Sequence, residues 1–257
     1  MILGYTLASV VVVSLVSFVG LFALSIKRFQ QERVLLIMVS LSAGTLFGDA
    51  FLHLLPESVE SAGFNTTISF TVLAGVLMFF VLEKLVHWHH CHGVGKHLEH
   101  TIHKNRDDKK QRIVILNFAG DGVHNFMDGL IIAGSYLVSI PTGIATTIAV
   151  IFHEIPQEIA DFGVLVYAGM SKPRALFFNF LSGATAIVGA VVGYMLGTKS
   201  EIFLSFILPF AAGGFVYIAG SNLIPELHKT CDLRDSLWHV VAFVVGIALM
   251  LGLLLLE

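Results

Sequence analysis

The chain of 257 residues is 56% hydrophobic and only 13% charged, with a formal net charge of −3 and a mean hydropathy of +0.84. A soluble domain of this length carries roughly twice that charged fraction, and long apolar runs recur from end to end, so the composition excludes a soluble globular protein and selects the membrane class. Only two cysteines are present, Cys91 and Cys231, both on the side read below as cytosolic, and a disulfide framework is not expected.

The first apolar run, from Ile2 to Ile26, lacks a basic leader and a small-residue cleavage site and is long enough to span, so it reads as a retained helix rather than a signal peptide. A bilayer core about 30 Å thick needs about 20 helical residues. Eight stretches meet that length: 2–26, 34–55, 67–86, 113–138, 142–168, 174–197, 202–226 and 236–256. Small residues within them, as in SGATAIVGAVVG and AAGG, let helix backbones approach closely where lipid supplies no hydrophobic drive.

The basic residues give the chain an orientation. Lys27, Arg28 and Arg33 fall between spans one and two. Lys84, Lys96, Lys104, Arg106, Lys109, Lys110 and Arg112 fall at or between spans three and four. Lys172 and Arg174 join five to six, and Lys229 and Arg234 join seven to eight. Only Lys199 lies on the other side, so the positive-inside rule places these loops in the cytosol and both termini outside. The stretches AGTLFGDAFLHLLPE (43–57) and AGGFVYIAGSNLIPE (212–226) align without gaps, and the first ends at the outer face while the second ends at the inner face. The expected fold is thus an all-α integral membrane protein. Its eight transmembrane helices form one domain over 1–257, with spans one to three inverted against six to eight around central spans four and five.

Ionisable residues at membrane depth are costly and usually functional. Span four holds Asp121, His124, Asn125 and Asp128, spaced to share one helical face. Span five holds His153, Glu154, Gln157, Glu158 and Asp161, and span two adds Asp49 and His53. Imidazole suits borderline ions and carboxylate or amide oxygen suits harder ones, so the mixed set points to a divalent ion such as Zn²⁺ or Fe²⁺ and away from Cu⁺. Pro156 removes one helical hydrogen bond and frees a carbonyl a turn earlier, which is consistent with a helix opened beside a watery path or with a packing kink.

The segment 87–112 is expected as a His-rich cytosolic loop. Its HWHHCHGVGKHLEHTIH stretch, including His89, His90 and His92, lacks the spacing of a structural zinc site and reads as a flexible metal-capture or sensing segment. An intramembrane metalloprotease is the alternative reading of HEIPQ (153–157). That chemistry needs a second histidine where Gln157 stands, so no enzyme activity and no catalytic cofactor are expected.

These motifs resemble the ZIP (Zrt-, Irt-like protein) family of divalent metal transporters. The resemblance rests on HNFMDG (124–129) in span four and HEIPQEIADF (153–162) in span five, and it covers the whole chain. It implies transport of Zn²⁺, or of iron, manganese or cadmium, toward the cytosol through a two-metal midplane site. His124, Asn125 and Asp128 match the span-four ligands; His153, Glu154 and Gln157 match those of span five, with Glu158 beside them, and His53 matches a further contact. Gln157 departs from the His or Glu of many relatives. In span six the polar candidates are Asn179 and Ser182. The ion is expected to enter past Asp49 and His53 and to leave by way of Asn222, Glu226 and His228 and then the His-rich loop, with Asp121 and Asn179 as further path residues. The expected partners are the divalent ion, the lipid bilayer and, as an open option, a second copy of the chain, with no nucleic acid. The plasma membrane is the expected location.

Overall fold

Apolar runs in lipid must satisfy their own backbone hydrogen bonds, and the chain does so by forming helix. The computed structural model describes residues 1–20, 32–92, 104–228 and 232–256. Among these residues there are eight helical rods and no strand. Rod α1 is Ile2–Val16 and α2 is Glu32–Asp49, continued by a π-helical turn over Ala50–Leu54 and by Leu55–Ala62. Thr66–His92 forms α3, Lys104–Val138 forms α4 and Ile140–Tyr167 forms α5. Lys172–Gly183 and Thr185–Gly197 make up α6. Rod α7 is Glu201–Tyr217, a second π-helical turn over Ile218–Leu223, and Ile224–Leu227; α8 is Leu233–Leu253.

Local chemistry sets the ends. Gly63, at φ +70°, closes α2, and the Asn65 side chain accepts the Ile68 N–H at 3.0 Å to start α3. Ser139, Ser200 and Asp232 cap α5, α7 and α8 through their side-chain oxygens.

Five helices, Arg33–Glu60, Thr66–Lys84, Lys172–Gly197, Glu201–Leu227 and Leu233–Leu253, are long and apolar enough to cross a membrane; α4 and α5, which carry the ionisable stripes, are not among them. Large apolar side chains face outward on α3 and α8, among them Phe70, Leu73, Leu77, Val240, Val244 and Leu251. Such a surface suits lipid, not water.

Three expectations change. The first helix is interrupted after Val16, where Ser17 and Phe18 take tighter i−3 backbone bonds, and is helical again at Val19 and Gly20; residues 21–31 lie outside the described part. The segment 87–112 is not all loop. Helix α3 runs through His92, carrying His89 and His90 on its last turns, and α4 starts at Lys104, in a stretch rich in helix-favouring Lys, Arg and Gln. Residues 93–103 of that segment lie outside the described part. Finally, α5 runs unbroken through Pro156. The carbonyl this proline frees, that of Phe152, accepts the Ser42 hydroxyl at 2.5 Å. The lost helical bond is thereby replaced by one to α2, and the helix has no need to open.

The helical regularity breaks elsewhere, and twice in the same way. In the stretch 43–57 Leu55 N–H bonds to the Ala50 carbonyl, five residues back; in 212–226 the matching Ile224 N–H bonds to the matching Ala219 carbonyl. A proline follows each, Pro56 and Pro225. The packing of the two copies also corresponds. A Cβ on Gly44 would lie 2.1 Å from the Phe243 carbonyl oxygen of α8, and one on Gly213 would lie 2.0 Å from the Val72 oxygen of α3. In the reverse sense, Gly246 of α8 abuts the Leu41 oxygen and Gly75 of α3 abuts the Phe210 oxygen. The α2–α8 and α3–α7 contacts are therefore equivalent backbone-to-backbone seams that no larger residue could enter.

Candidate metal site

Two of the predicted stripes meet between α4 and α5. On α4, His124 and Asp128 stand one turn apart; on α5, His153 and Glu154 are neighbours. The crossing of the two helices brings one atom from each to a common point. His124 Nε2 lies 3.2 Å from His153 Nε2, 3.5 Å from Asp128 Oδ2 and 3.3 Å from Glu154 Oε1. His153 Nε2 lies 3.2 Å from Asp128 Oδ2 and 3.4 Å from Glu154 Oε1. The remaining pair, the two carboxylates, is within 4.8 Å.

Five of the six edges joining these two nitrogens and two oxygens are thus 3.2–3.5 Å. A regular tetrahedron of that edge has its centre about 2.0–2.1 Å from each corner, the bond length zinc makes to imidazole nitrogen and carboxylate oxygen. Both oxygens of Glu154, and Asp128 Oδ1, are buried with no hydrogen-bond partner. Two carboxylates buried this deeply are expensive without a compensating charge, and a cation at the centre would bind Asp128 Oδ2 and Glu154 Oε1 directly. Two carboxylates also balance a divalent charge, so the loaded site would be neutral overall, which lowers the cost of its burial.

The surroundings hold this set from two sides. Phe79 and Phe215 place ring edges or faces against His124 and His153, with centroids 6.2 and 5.9 Å away. Toward the N-terminal half of α5 and the C-terminal half of α4 the site is covered by packed core, including Ile131, Ile132, Val150 and Ala212. In the opposite direction a cavity of about 550 Å³ opens from His124, Asp121 and Gln157 past Asp161 and Tyr217 to Asn222 and Glu226. His124 is the member that meets this cavity, with its side chain 14% exposed, against 1% for His153 and 0% for Asp128 and Glu154.

The other predicted residues take different partners. Asp121 Oδ1 accepts the Asn125 amide at 2.9 Å and the Gln157 amide at 3.4 Å. Glu158 is tied by both oxygens, to the hydroxyl of Ser17, just past the end of α1, at 2.6 Å and to the Asn179 amide of α6 at 2.5 Å. Even so, Asp121, Glu154 and Glu158 form a second group close enough to share an ion, with Glu154 common to both groups. His53 is buried, and its Nε2 pairs with the Met250 carbonyl of α8 at 2.9 Å, away from the four-residue set. Asp49 is also buried, on the last turn before the first π-helical segment. Ser182 bonds within its own helix, to the Phe178 and Asn179 carbonyls. Asn222 and Glu226 line the mouth of the large cavity, whereas His228 faces a different one.

Several contributors do not stand out in the sequence. Asn117 lines the cavity and stands four residues before Asp121, so extending the α4 stripe by one turn would have found it. Tyr217, which donates to Glu83 at 2.5 Å across the cavity wall, and Ser17 and Phe215 carry no pattern signal.

The chain is 32% identical over 273 residues to the zinc transporter ZIP13 homolog of Drosophila melanogaster, covering 85% of this chain and 77% of that protein. It is 30% identical to the metal cation symporter ZIP14 of Xenopus tropicalis, over 88% of this chain and 62% of that one. It is 28% identical to the human zinc transporter SLC39A7, over 96% of this chain and 70% of that protein. The family model described as ZIP zinc transporter matches residues 2–112 and 88–254, nearly the whole length, and the chain belongs to the ZIP zinc transporter family.

Proposed function

We propose that the chain carries a borderline divalent cation, zinc foremost, across a membrane to the cytosol, through the site formed by His124, Asp128, His153 and Glu154. The observation that carries this reading is the convergence of two imidazole nitrogens and two carboxylate oxygens at 3.2–3.5 Å, with buried oxygens left over. That donor set selects ions that accept both nitrogen and oxygen, such as Zn²⁺, Fe²⁺, Mn²⁺ or Cd²⁺. The neighbouring Asp121, Glu154 and Glu158 group supports a second position that shares Glu154. Asn125 and Gln157, held by Asp121, line the step between the two positions.

The same reading takes all eight rods as spans of a single domain, with both termini outside and α2–α3 inverted against α7–α8 in a plasma membrane. The matched π-helical turns and glycine seams support the repeat. The large cavity is lined by Glu83 and by Glu226 near the C-terminal ends of α3 and α7, by Asn117 near the N-terminal end of α4, and by Asp161 of α5. These are the ends next to the basic loops, and on this reading the cavity opens toward the cytosol while the packed side faces out. Transport follows when the packed side opens and the cavity closes, so that the site faces one side at a time. A protease would need a second metal ligand at position 157, but the amide there is turned to Asp121.

Uptake of radiolabelled zinc into proteoliposomes tests the reading. His124→Ala and His153→Ala should each lower uptake by about 100-fold or more, since even residues that only support a metal ligand cost 10–100-fold. Uptake unchanged in both variants would refute the assignment.

A further inference from the structure

The single turn Ile224–Leu227 that ends α7 is a partition between two cavities. Pro225 and Glu226 face the large cavity leading to the metal site. Ile224, Leu227 and His228 face a smaller one, of about 330 Å³, whose other wall includes Ser40 of α2 and Ser236 and His239 of α8. His239 is 5% exposed, lines this cavity, and its Nε2 has no hydrogen-bond partner. Its backbone is pinned, because the Ser40 hydroxyl donates to the His239 carbonyl at 2.5 Å. A buried ring nitrogen left unpaired costs about 1–3 kcal/mol.

We propose that His228 and His239 form a further binding position for the transported ion, on the other side of the Ile224–Leu227 turn from the mouth of the large cavity. The inference rests on the reading of that cavity as the exit route. Imidazole selects the same borderline ions as the transport site and rejects Mg²⁺ and Ca²⁺, which require oxygen. Among the described residues no carboxylate lines the smaller cavity. An ion there keeps water as its remaining ligands and its charge is not balanced by the protein, so it is held loosely. That is the behaviour of a staging position, from which the ion leaves easily, and it contrasts with the charge-balanced transport site.

The test is zinc-edge anomalous diffraction from crystals of the full chain equilibrated with zinc. The expected result is a peak at His239 Nε2 besides the one among His124, Asp128, His153 and Glu154. His239→Ala should remove the first peak and leave the second, which also reports that the variant is folded. His228→Ala, a change at an exposed residue, should weaken the first peak alone. A filled transport site with no peak at His239, or a peak that survives His239→Ala, overturns the proposal. A peak at His239 with the four-residue site empty supports this position and overturns the transport-site reading instead.

Discussion

His124 and His153, on neighbouring helices, point their Nε2 atoms at each other across 3.2 Å. At that separation at most one proton fits between them, and two protonated rings would repel. Carboxylate oxygens complete the group on both flanks. The arrangement offers lone pairs to a cation, and protons compete for the same atoms. Uptake of zinc should therefore fall as the outer solution is acidified, by about tenfold for each pH unit once one ring proton must leave for each ion bound. Initial rates in proteoliposomes across an acid series check this, and rates that rise with acid would contradict it.

The site also separates residues that should matter greatly from one that should not. Asp128→Asn or Glu154→Gln removes one of the two charges that balance the ion. Stranding a buried charge costs about 3–5 kcal/mol, more than 100-fold in affinity. Gln157→Ala removes only an amide whose bond to Asp121 is 3.4 Å long, so its effect on half-saturation should stay within about threefold. Zinc titration of uptake distinguishes the two classes.

The glycine seams should be intolerant of any side chain. Gly44→Val and Gly213→Val each force a Cβ into a carbonyl oxygen about 2 Å away, and overpacking against backbone costs about 1–3 kcal/mol or more. Both variants should unfold at clearly lower temperature in detergent, and by similar amounts if the two seams are equivalent. Gly163 is the control: a Cβ there meets nothing within 4 Å. Gly163→Ala should be neutral or stabilise the helix by about 0.5–1 kcal/mol.

Glu158 joins three helices through Ser17 and Asn179. Asn179→Ala leaves a buried carboxylate oxygen without its partner, at a cost of about 1–3 kcal/mol. Ser17→Ala should cost a similar amount, and the double variant should depart from the sum because the two share one acceptor. Thermal unfolding of the four proteins gives the coupling; strict additivity would show that the three residues do not act as one unit.

The helical class and the positions of the polar stripes were legible in the sequence, which offered His53, His124, Asn125, Asp128, His153, Glu154, Gln157 and Glu158 as candidate ligands without singling out the four that converge. A period of 3.6 residues already places His124 beside Asp128, and only lipid-depth helices explain apolar runs of that length. Which atom pairs with which was not legible. Asn125 and Gln157 turn to Asp121, Glu158 to Ser17 and Asn179, His53 to Met250, and the carbonyl freed by Pro156 to Ser42. Each of these pairings crosses from one helix to another, except that of Asn125 with Asp121.

Such pairings depend on how far each helix is rotated and at what height it crosses its neighbour. Those quantities are set where backbones touch, at Gly44 on Phe243 and Gly213 on Val72, by residues far away along the chain. The π-helical turns before Pro56 and Pro225 add a further shift of phase that no regular helical period contains. The sequence by itself determined a membrane-embedded helical chain carrying the donors for a borderline divalent ion. The tertiary structure alone decided that two imidazoles and two carboxylates meet as one set while the remaining polar groups hold the helices together, because that choice is made by contacts between helices and not within them.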